Sequence, residues 1–278
     1  MTLYMDNLSQ ESVSFNRIRI WLNDQCGMHY PESKQELLLQ RLKRVCETCH
    51  FKNLTELADC LDKNYLHNDL DIRSIVITAA SINHTYFYRE PQVLDYFQTT
   101  ILPTLNANSV RIWSAAASTG DEAYTIAMII AEAKGIAWAK QNLAILGTDI
   151  DRKVIASAEI GVYSKSALEH TNIEIIKRYF GLVDEPNQLY RINKNIHDLC
   201  IFRYLNLKTK PYPFTQLFDV VFCRNVLYYF DNVHQERVIE SIYDVTKVGG
   251  WMITSVTVSL RHLNTRWVNV MSGVYRKI

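Results

Sequence analysis

Two acids in tandem, Asp121 and Glu122, follow a lone glycine, Gly120, in the run SAAASTGDEAY at 114–124. The strand-like VRIW before it and the helix-like AYTIAMIIAEA that follows make this a strand-to-helix turn, the place where a doubly wound domain holds a nucleotide. A pyrophosphate at such a turn needs glycines and bare backbone N–H groups. Here it would meet two carboxylates, and like charges a few Å apart in a partly dry cleft repel by several kcal/mol. A cofactor that carries cations instead, such as S-adenosylmethionine with its sulfonium and ammonium groups, would be attracted. Acids in a first helical turn also favour the helix dipole by about 0.3–1 kcal/mol, which accounts for one acid but not for the missing glycines.

Three further segments carry groups to the same end of such a sheet. LAILGTD at 143–149 ends on Asp149. An acid there is the usual partner of ribose hydroxyls, although it lies 29 residues beyond Gly120 (149 − 120) rather than about 20. A helix-capping role shared with Asp151 is the alternative. CRNVLYYFD at 223–231 follows the strand-like FDVVF, and YLNL at 204–207 contains Asn206. Arg224, beside an apolar strand end, also reads as a paired structural charge. Tyr228 and Tyr229 are consecutive, so at most one faces the cleft.

Positioning these groups requires alternating strands and helices. From residue 110 the chain supplies them: strands at 110–115, 143–149, 218–226 and 251–258, with a last one within 266–278. A helix opens after Asp151, and another spans 232–250 and ends in a glycine pair. That order implies a mostly parallel sheet with right-handed crossovers. Between 165 and 210 the alternation breaks, and the two strand-like runs of LYRINKNIHDLCIFRYLN (189–206) predict a small antiparallel insert. Residues 10–82 read as helical and almost lack glycine, with capping-box spacing at Ser33–Glu36 and another helix opening at Asn53–Glu56. The expected organisation is a helical domain at 1–82, a linker at 83–109 that contributes to the cofactor site, and a cofactor-binding domain at 110–278 with an insert near 183–205. Lys34, Arg41, Lys43 and Arg44 form either a solvated basic face or a docking face for an acidic helical partner.

Composition narrows the classes. A net charge of +1 in 278 residues argues against a general nucleic-acid binder, and no apolar run reaches membrane-spanning length. The start lacks the basic n-region of a signal peptide, so a cytoplasmic protein with reduced cysteines is expected. CETCH at 46–50 matches a haem-attachment spacing, and with Cys60 a zinc site. It sits within a helical pattern of Leu38, Leu42, Val45 and Cys49, which favours plain packing, with His50 near a helix C-terminus; no metal is expected.

The blocks NHTYFYRE (83–90), RIWSAAASTGDEAYTIAM (111–128), LGTDIDRKVIASAEIGVY (146–163), FDVVFCRNVLYYFD (218–231) and VYRK (274–277) resemble the bacterial chemotaxis receptor glutamate methyltransferases of the CheR type. The resemblance runs in order over essentially the whole chain. It implies a helical domain followed by a Rossmann-like class I S-adenosylmethionine-dependent methyltransferase domain with a small antiparallel β insert. It implies that Asn83, Thr85, Arg89, Glu122, Asp149, Asn206, Leu207, Asn225 and Val226 hold the cofactor, with Arg89 and Tyr229 nearest the transferred methyl. The substrate would be glutamate side chains on the cytoplasmic helices of a receptor, and the enzyme would act as a monomer.

Two departures stand out. The segment near 255 is roughly GHSESL in the family and reads TSVTVSL (254–260) here. A cofactor-binding sensor or scaffold with lost chemistry therefore stands as the alternative. The insert turn, glycine-rich in members that bind a receptor tail peptide, reads GLVDEPNQ (181–188), so the resemblance does not carry tethering with it. Methylation of nucleic acid finds no motif: there is no Asn/Asp-Pro-Pro-Tyr run, and Phe222, not proline, precedes Cys223.

Overall fold

The computed structural model describes residues 2–63, 71–81, 84–105 and 108–278, with side chains from residue 10 onward. The chain falls into two compact units: Met1–Ile82 with Tyr229–His234, and Asn83–Tyr228 with Gln235–Ile278.

The first unit holds α1 (Thr2–Cys26), α2 (Glu32–Cys49), α3 (Leu54–Lys63) and α4 (Ile72–Ala80). Its core is leucine-rich, with Leu22, Leu38, Leu42, Leu57 and Leu61 fully buried beside Ile18 and Val76. Arg17 clips α1 to α3 by reaching both Asp59 and Asp62. The Asn53 side chain accepts from the Glu56 N–H (3.0 Å), and the Glu56 carboxylate accepts from Lys52 N–H (2.8 Å), so this helix start behaves as the spacing predicts. The box expected at Ser33–Glu36 does not form: the N-cap is Pro31, two residues earlier, and its fixed φ of −64° suits a helix entry. Cys46 and Cys49 are buried on α2, and His50 closes it in a left-handed conformation (φ 62°). Among the described residues no helix is long and apolar enough to cross a membrane.

The second unit is built on a seven-stranded sheet. In chain order it contains α5 (Pro91–Tyr96), β1 (Val110–Ala115), α6 (Asp121–Lys134), α7 (Ile136–Asn142), β2 (Leu143–Asp149), α8 (Arg152–Ile160), β3 (Val162–Ser164), α9 (Ile173–Tyr179), β4 (Phe180–Asp184), β5 (Leu189–Ile192), α10 (Lys194–His197), β6 (Cys200–Tyr204), β7 (Phe218–Phe222), α11 (Asn232–Asp244), β8 (Thr246–Ile253), β9 (Val268–Met271) and β10 (Val274–Arg276). The large sheet runs β6-β2-β1-β7-β8-β10-β9. The first five strands pair parallel and the terminal hairpin of β9 and β10 antiparallel. This is the α/β architecture, mostly parallel, that the alternation predicts. Burial follows position: β1 and β7 are apolar almost throughout, as central parallel strands must be, while the edge strand β6 alternates. The first turn and body of α6 are buried nearly all round, which makes it a core helix rather than a surface one.

A small antiparallel sheet, β3-β5-β4, completes the unit. The boundaries of the predicted insert shift. Of the two strand-like runs expected to form it, Leu189–Ile192 does, but Cys200–Tyr204 pairs parallel with β2 in the large sheet. The apolar residues Cys200 and Phe202 face that sheet's core, and β5 pairs instead with Val162–Ser164 on one side and Phe180–Asp184 on the other. The glycine pair 249–250 likewise does not end a helix. α11 stops at Asp244 and the pair lies inside β8, where Gly249 (φ 76°) shifts the register against β7.

Candidate functional site

Four parallel strand ends converge on one edge of the sheet. β1 feeds the turn at 115–120, β2 ends on Asp149, β6 runs on to Asn206, and β7 runs on to Arg224 and Asn225. β1 lies between β2 and β7, so the chain reverses its winding there, the position at which open parallel sheets bind ligands.

The turn after β1 is drawn tightly over β2. The N–H groups of Ala116 and Ala117 both donate to the Thr148 carbonyl at 2.8 Å, and the Trp113 indole donates to the Thr148 hydroxyl. Ala116 (φ 83°), Ser118 (φ 49°) and Gly120 (φ 90°) all take left-handed backbone. Gly120 is obligatory: a Cβ there would sit 3.0 Å from both Ala158 and the Phe202 ring. Tyr88 (φ 58°), Glu90 (φ 54°) and Asn225 (φ 55°) are left-handed too. Five of the seven described non-glycine residues with positive φ therefore lie in the turn, the 84–90 linker and the end of β7. Each costs on the order of 1 kcal/mol, and such residues persist where the surroundings over-determine them and cluster at functional sites.

Asp149 is buried, and burial pushes its carboxyl up to about 6, against the pull of the N–H groups of Asp151 and Ser118. Its two oxygens accept from those N–H groups at 3.0 and 2.9 Å. Asp149 thus ties the β1 turn to the start of α8, while Asp151 alone caps that helix through Lys153 N–H. A third backbone N–H, that of Ile150, also acts on the carboxyl. The Asp149 carbonyl also accepts from Leu205 N–H (2.9 Å), which sets Asn206 and Leu207 beside it. Asn206 accepts from Lys208 N–H, and Leu207 is buried with its carbonyl bonded to the Tyr212 hydroxyl.

The tandem acids have different roles. Asp121 is turned inward: it is 1% exposed, accepts from Thr119 Oγ1 at 2.5 Å, and burial pushes it up to about 6. Glu122 points to the strand ends, where Ser114 Oγ donates to one oxygen (2.7 Å) and Arg224 Nη1 to the other (3.0 Å). Arg224 is indeed a paired charge, and its second partner is Glu90, 3.6 Å away. Which acids pair with Arg224, and any role for Glu90, are not visible in the sequence, because the partners lie 102 and 134 residues from Arg224 (224 − 122, 224 − 90).

The linker is held by the same unit. Tyr88 N–H donates to Thr125 Oγ1 on α6, and Phe87 stacks edge-on against Tyr163 and Phe180 of the small sheet. Arg89 donates to the His84 carbonyl (2.7 Å) and lies over the Tyr86 ring. Thr85 and Val226 are half-buried within this unit. Asn83 lies outside the described residues. Tyr229 belongs to the helical unit, where its carbonyl accepts from His29 N–H, and Tyr228 is exposed.

This edge suits a nucleoside that bears cations. Two carboxylates, Asp149 and Glu122, stand at adjacent strand ends, and the arginine among them is already matched by two acids. A phosphate would find the α6 N-terminus guarded by Glu122.

Comparison with known proteins agrees. Residues 83–275 match the family described as "CheR methyltransferase, SAM binding domain", and residues 14–71 match "CheR methyltransferase, all-alpha domain". A chemotaxis protein methyltransferase of Vibrio anguillarum is 30% identical over 97% of both chains. One of Borreliella burgdorferi is 28% identical over 98% of this chain and 95% of its own. One of Escherichia coli is 27% identical over 97% and 92%.

Proposed function

Because the chain belongs to the CheR methyltransferase family, we propose that it transfers the methyl group of S-adenosylmethionine to glutamate side chains on the cytoplasmic helices of a chemotaxis receptor. The observation that carries this reading is the pair of carboxylates, Asp149 and Glu122, at the switch point of a class I sheet, on a turn poor in glycine.

The cofactor supplies an electrophilic methyl on a sulfonium. Asp149 would hold its ribose, Glu122 its cationic end, Asn206 and Leu207 its adenine, and Asn225 and Val226 the floor. The linker adds Asn83, Thr85 and Arg89. A glutamate side chain is already an anion at neutral pH, so the protein needs no strong base. Its task is placement, and near-attack geometry alone is worth several kcal/mol. Arg89 would orient the incoming carboxylate by its guanidinium fork; Tyr229 is the other residue that the family resemblance assigns to the methyl. Charge is lost as the ester forms, so an arginine bound too tightly to the carboxylate would oppose the step; Arg89 therefore positions. Exposed Arg44, with Lys34 and Lys43, meets the acidic receptor helix. Arg41 of the same face is committed elsewhere, to the carbonyls of Ala79 and Ser81. The protein works as a cytoplasmic monomer.

Incubation of the protein with methyl-labelled cofactor and an isolated receptor cytoplasmic domain tests this. Label on the receptor domain, lost on Arg89→Ala while affinity for S-adenosylhomocysteine stays within about tenfold, is expected. Cofactor binding with no label transferred to any receptor helix would favour the sensor reading instead.

A further inference from the structure

The side chain of Arg224 is 2% exposed and sits at the centre of a chain of polar contacts that crosses three neighbouring strands. At the end of β1, Ser114 holds one oxygen of Glu122, and Arg224 Nη1 holds the other at 3.0 Å. Nη2 donates to the Arg89 carbonyl and lies 3.6 Å from Glu90. Glu90 in turn accepts from Asn225 Nδ2 (3.0 Å) and Val256 N–H (3.3 Å), and Asn225 N–H donates to Ser255 Oγ (2.9 Å) at the end of β8. We infer that Arg224 is a positioning residue for methyl transfer, one guanidinium fixing the Arg89 backbone and the Glu122 carboxylate in a single geometry. This rests on the function proposed above.

Charge and shape both require an arginine here. A buried guanidinium without partners is prohibitive, and two carboxylates, Glu122 and Glu90, match it here. Burial pushes the Glu90 carboxyl up, but the Asn225 amide, the Arg224 charge and the Val256 N–H bring it below its usual range, so it stays ionised. A planar fork reaches three acceptors at once, whereas an ammonium is a point charge that cannot span them. Arg224 contacts only the backbone of Arg89, which is why its role is positioning rather than chemical. Among the described residues its buried Nε has no partner. The same contacts give the altered 254–260 segment a function: Ser255 supplies an acceptor that a glycine at this position could not.

R224K and R224Q, made in the full chain, test the inference through three readouts. These are single-turnover methyl transfer at saturating substrates, S-adenosylhomocysteine affinity by calorimetry, and amide hydrogen exchange across 84–90 in the free protein. R224K keeps the charge and is expected to stay folded. It is expected to slow transfer at least about tenfold, to change S-adenosylhomocysteine affinity less than about threefold, and to raise exchange at Tyr88–Glu90 at least about tenfold. R224Q is expected to slow transfer further, and E90Q combined with R224Q to cost little more than R224Q alone, since the groups act as a unit. Transfer within about threefold of wild type in R224K, or unchanged exchange at 88–90, overturns the inference, even if R224Q fails to fold. A wild-type protein that labels no receptor domain overturns the functional reading instead. The exchange comparison then still decides whether Arg224 fixes the linker.

Discussion

Asp149, Asp121 and Glu122 are three acids that look interchangeable in sequence and are not so in the folded chain. Glu122 faces the strand ends, so Glu122→Gln is expected to weaken S-adenosylhomocysteine binding about tenfold with little loss of stability, read by calorimetry and a thermal melt. Asp121 is buried against Thr119, and the structure turns the open question of its role toward support of the turn. Asp149 carries a pH dependence. Its carboxyl is raised to about 6 from 3.8 by burial, and ribose hydroxyls need the ionised form as acceptor. Cofactor affinity is therefore expected to be flat above pH 7 and to fall by up to about tenfold per unit below pH 6, a fall that Asp149→Asn would abolish together with most of the binding. For stability the sign is opposite: a raised carboxylate costs the fold stability above pH 6, and that cost disappears as pH falls toward 4. Residue type pointed to Asp149 and to the tandem pair of acids, and the family resemblance, not spacing, chose Glu122 over Asp121. Arg224 was legible as a paired charge, but its partners and the roles of Asp121 and Glu90 were not, because burial and long-range pairing decide them.

At the scale of elements, the strand-to-helix turn is set by three left-handed residues and one carbonyl, that of Thr148. Gly120→Ala would place a Cβ against Ala158 and Phe202 in a backbone that disfavours it. A loss of about 1–3 kcal/mol in a denaturant melt is expected, with weakened cofactor binding. The small sheet reaches the same turn, since the Tyr163 hydroxyl donates to the Thr119 carbonyl at 2.7 Å. Tyr163→Phe is expected to leave the sheet folded and weaken cofactor binding about threefold, measured by calorimetry. Regular strands with apolar runs, 110–115 and 143–149, were readable to the residue, and so was the start of the helix behind Asp151, but that helix stops at Ile160 and Val162–Tyr163, read as its end, belong to β3. Cys200–Tyr204 was misplaced because a short strand's alternation shows which face it buries but not which sheet it joins. Gly249–Gly250 was misread because a glycine pair serves a bulge as well as a helix end.

Over the whole molecule, a leucine-rich helical unit accompanies a sheet unit whose strand order brings the ends of β1, β2, β6 and β7 to one edge. The division of the chain was visible in glycine content and periodicity, whereas the return of Tyr229–His234 to the helical unit was not, since a contact between distant segments leaves no local pattern. Arg17 holds α1 to α3 through partly exposed pairs, so Arg17→Ala is expected to cost under about 1 kcal/mol and leave methyl transfer unchanged. The central claim is carboxyl methylation, and the chemistry of the product tests it most directly. After reaction with tritiated S-adenosylmethionine, label on the receptor domain should be released as volatile methanol by mild base and map to glutamates of its helices. Label that survives base, as an N-methyl or thioether group would, contradicts the account.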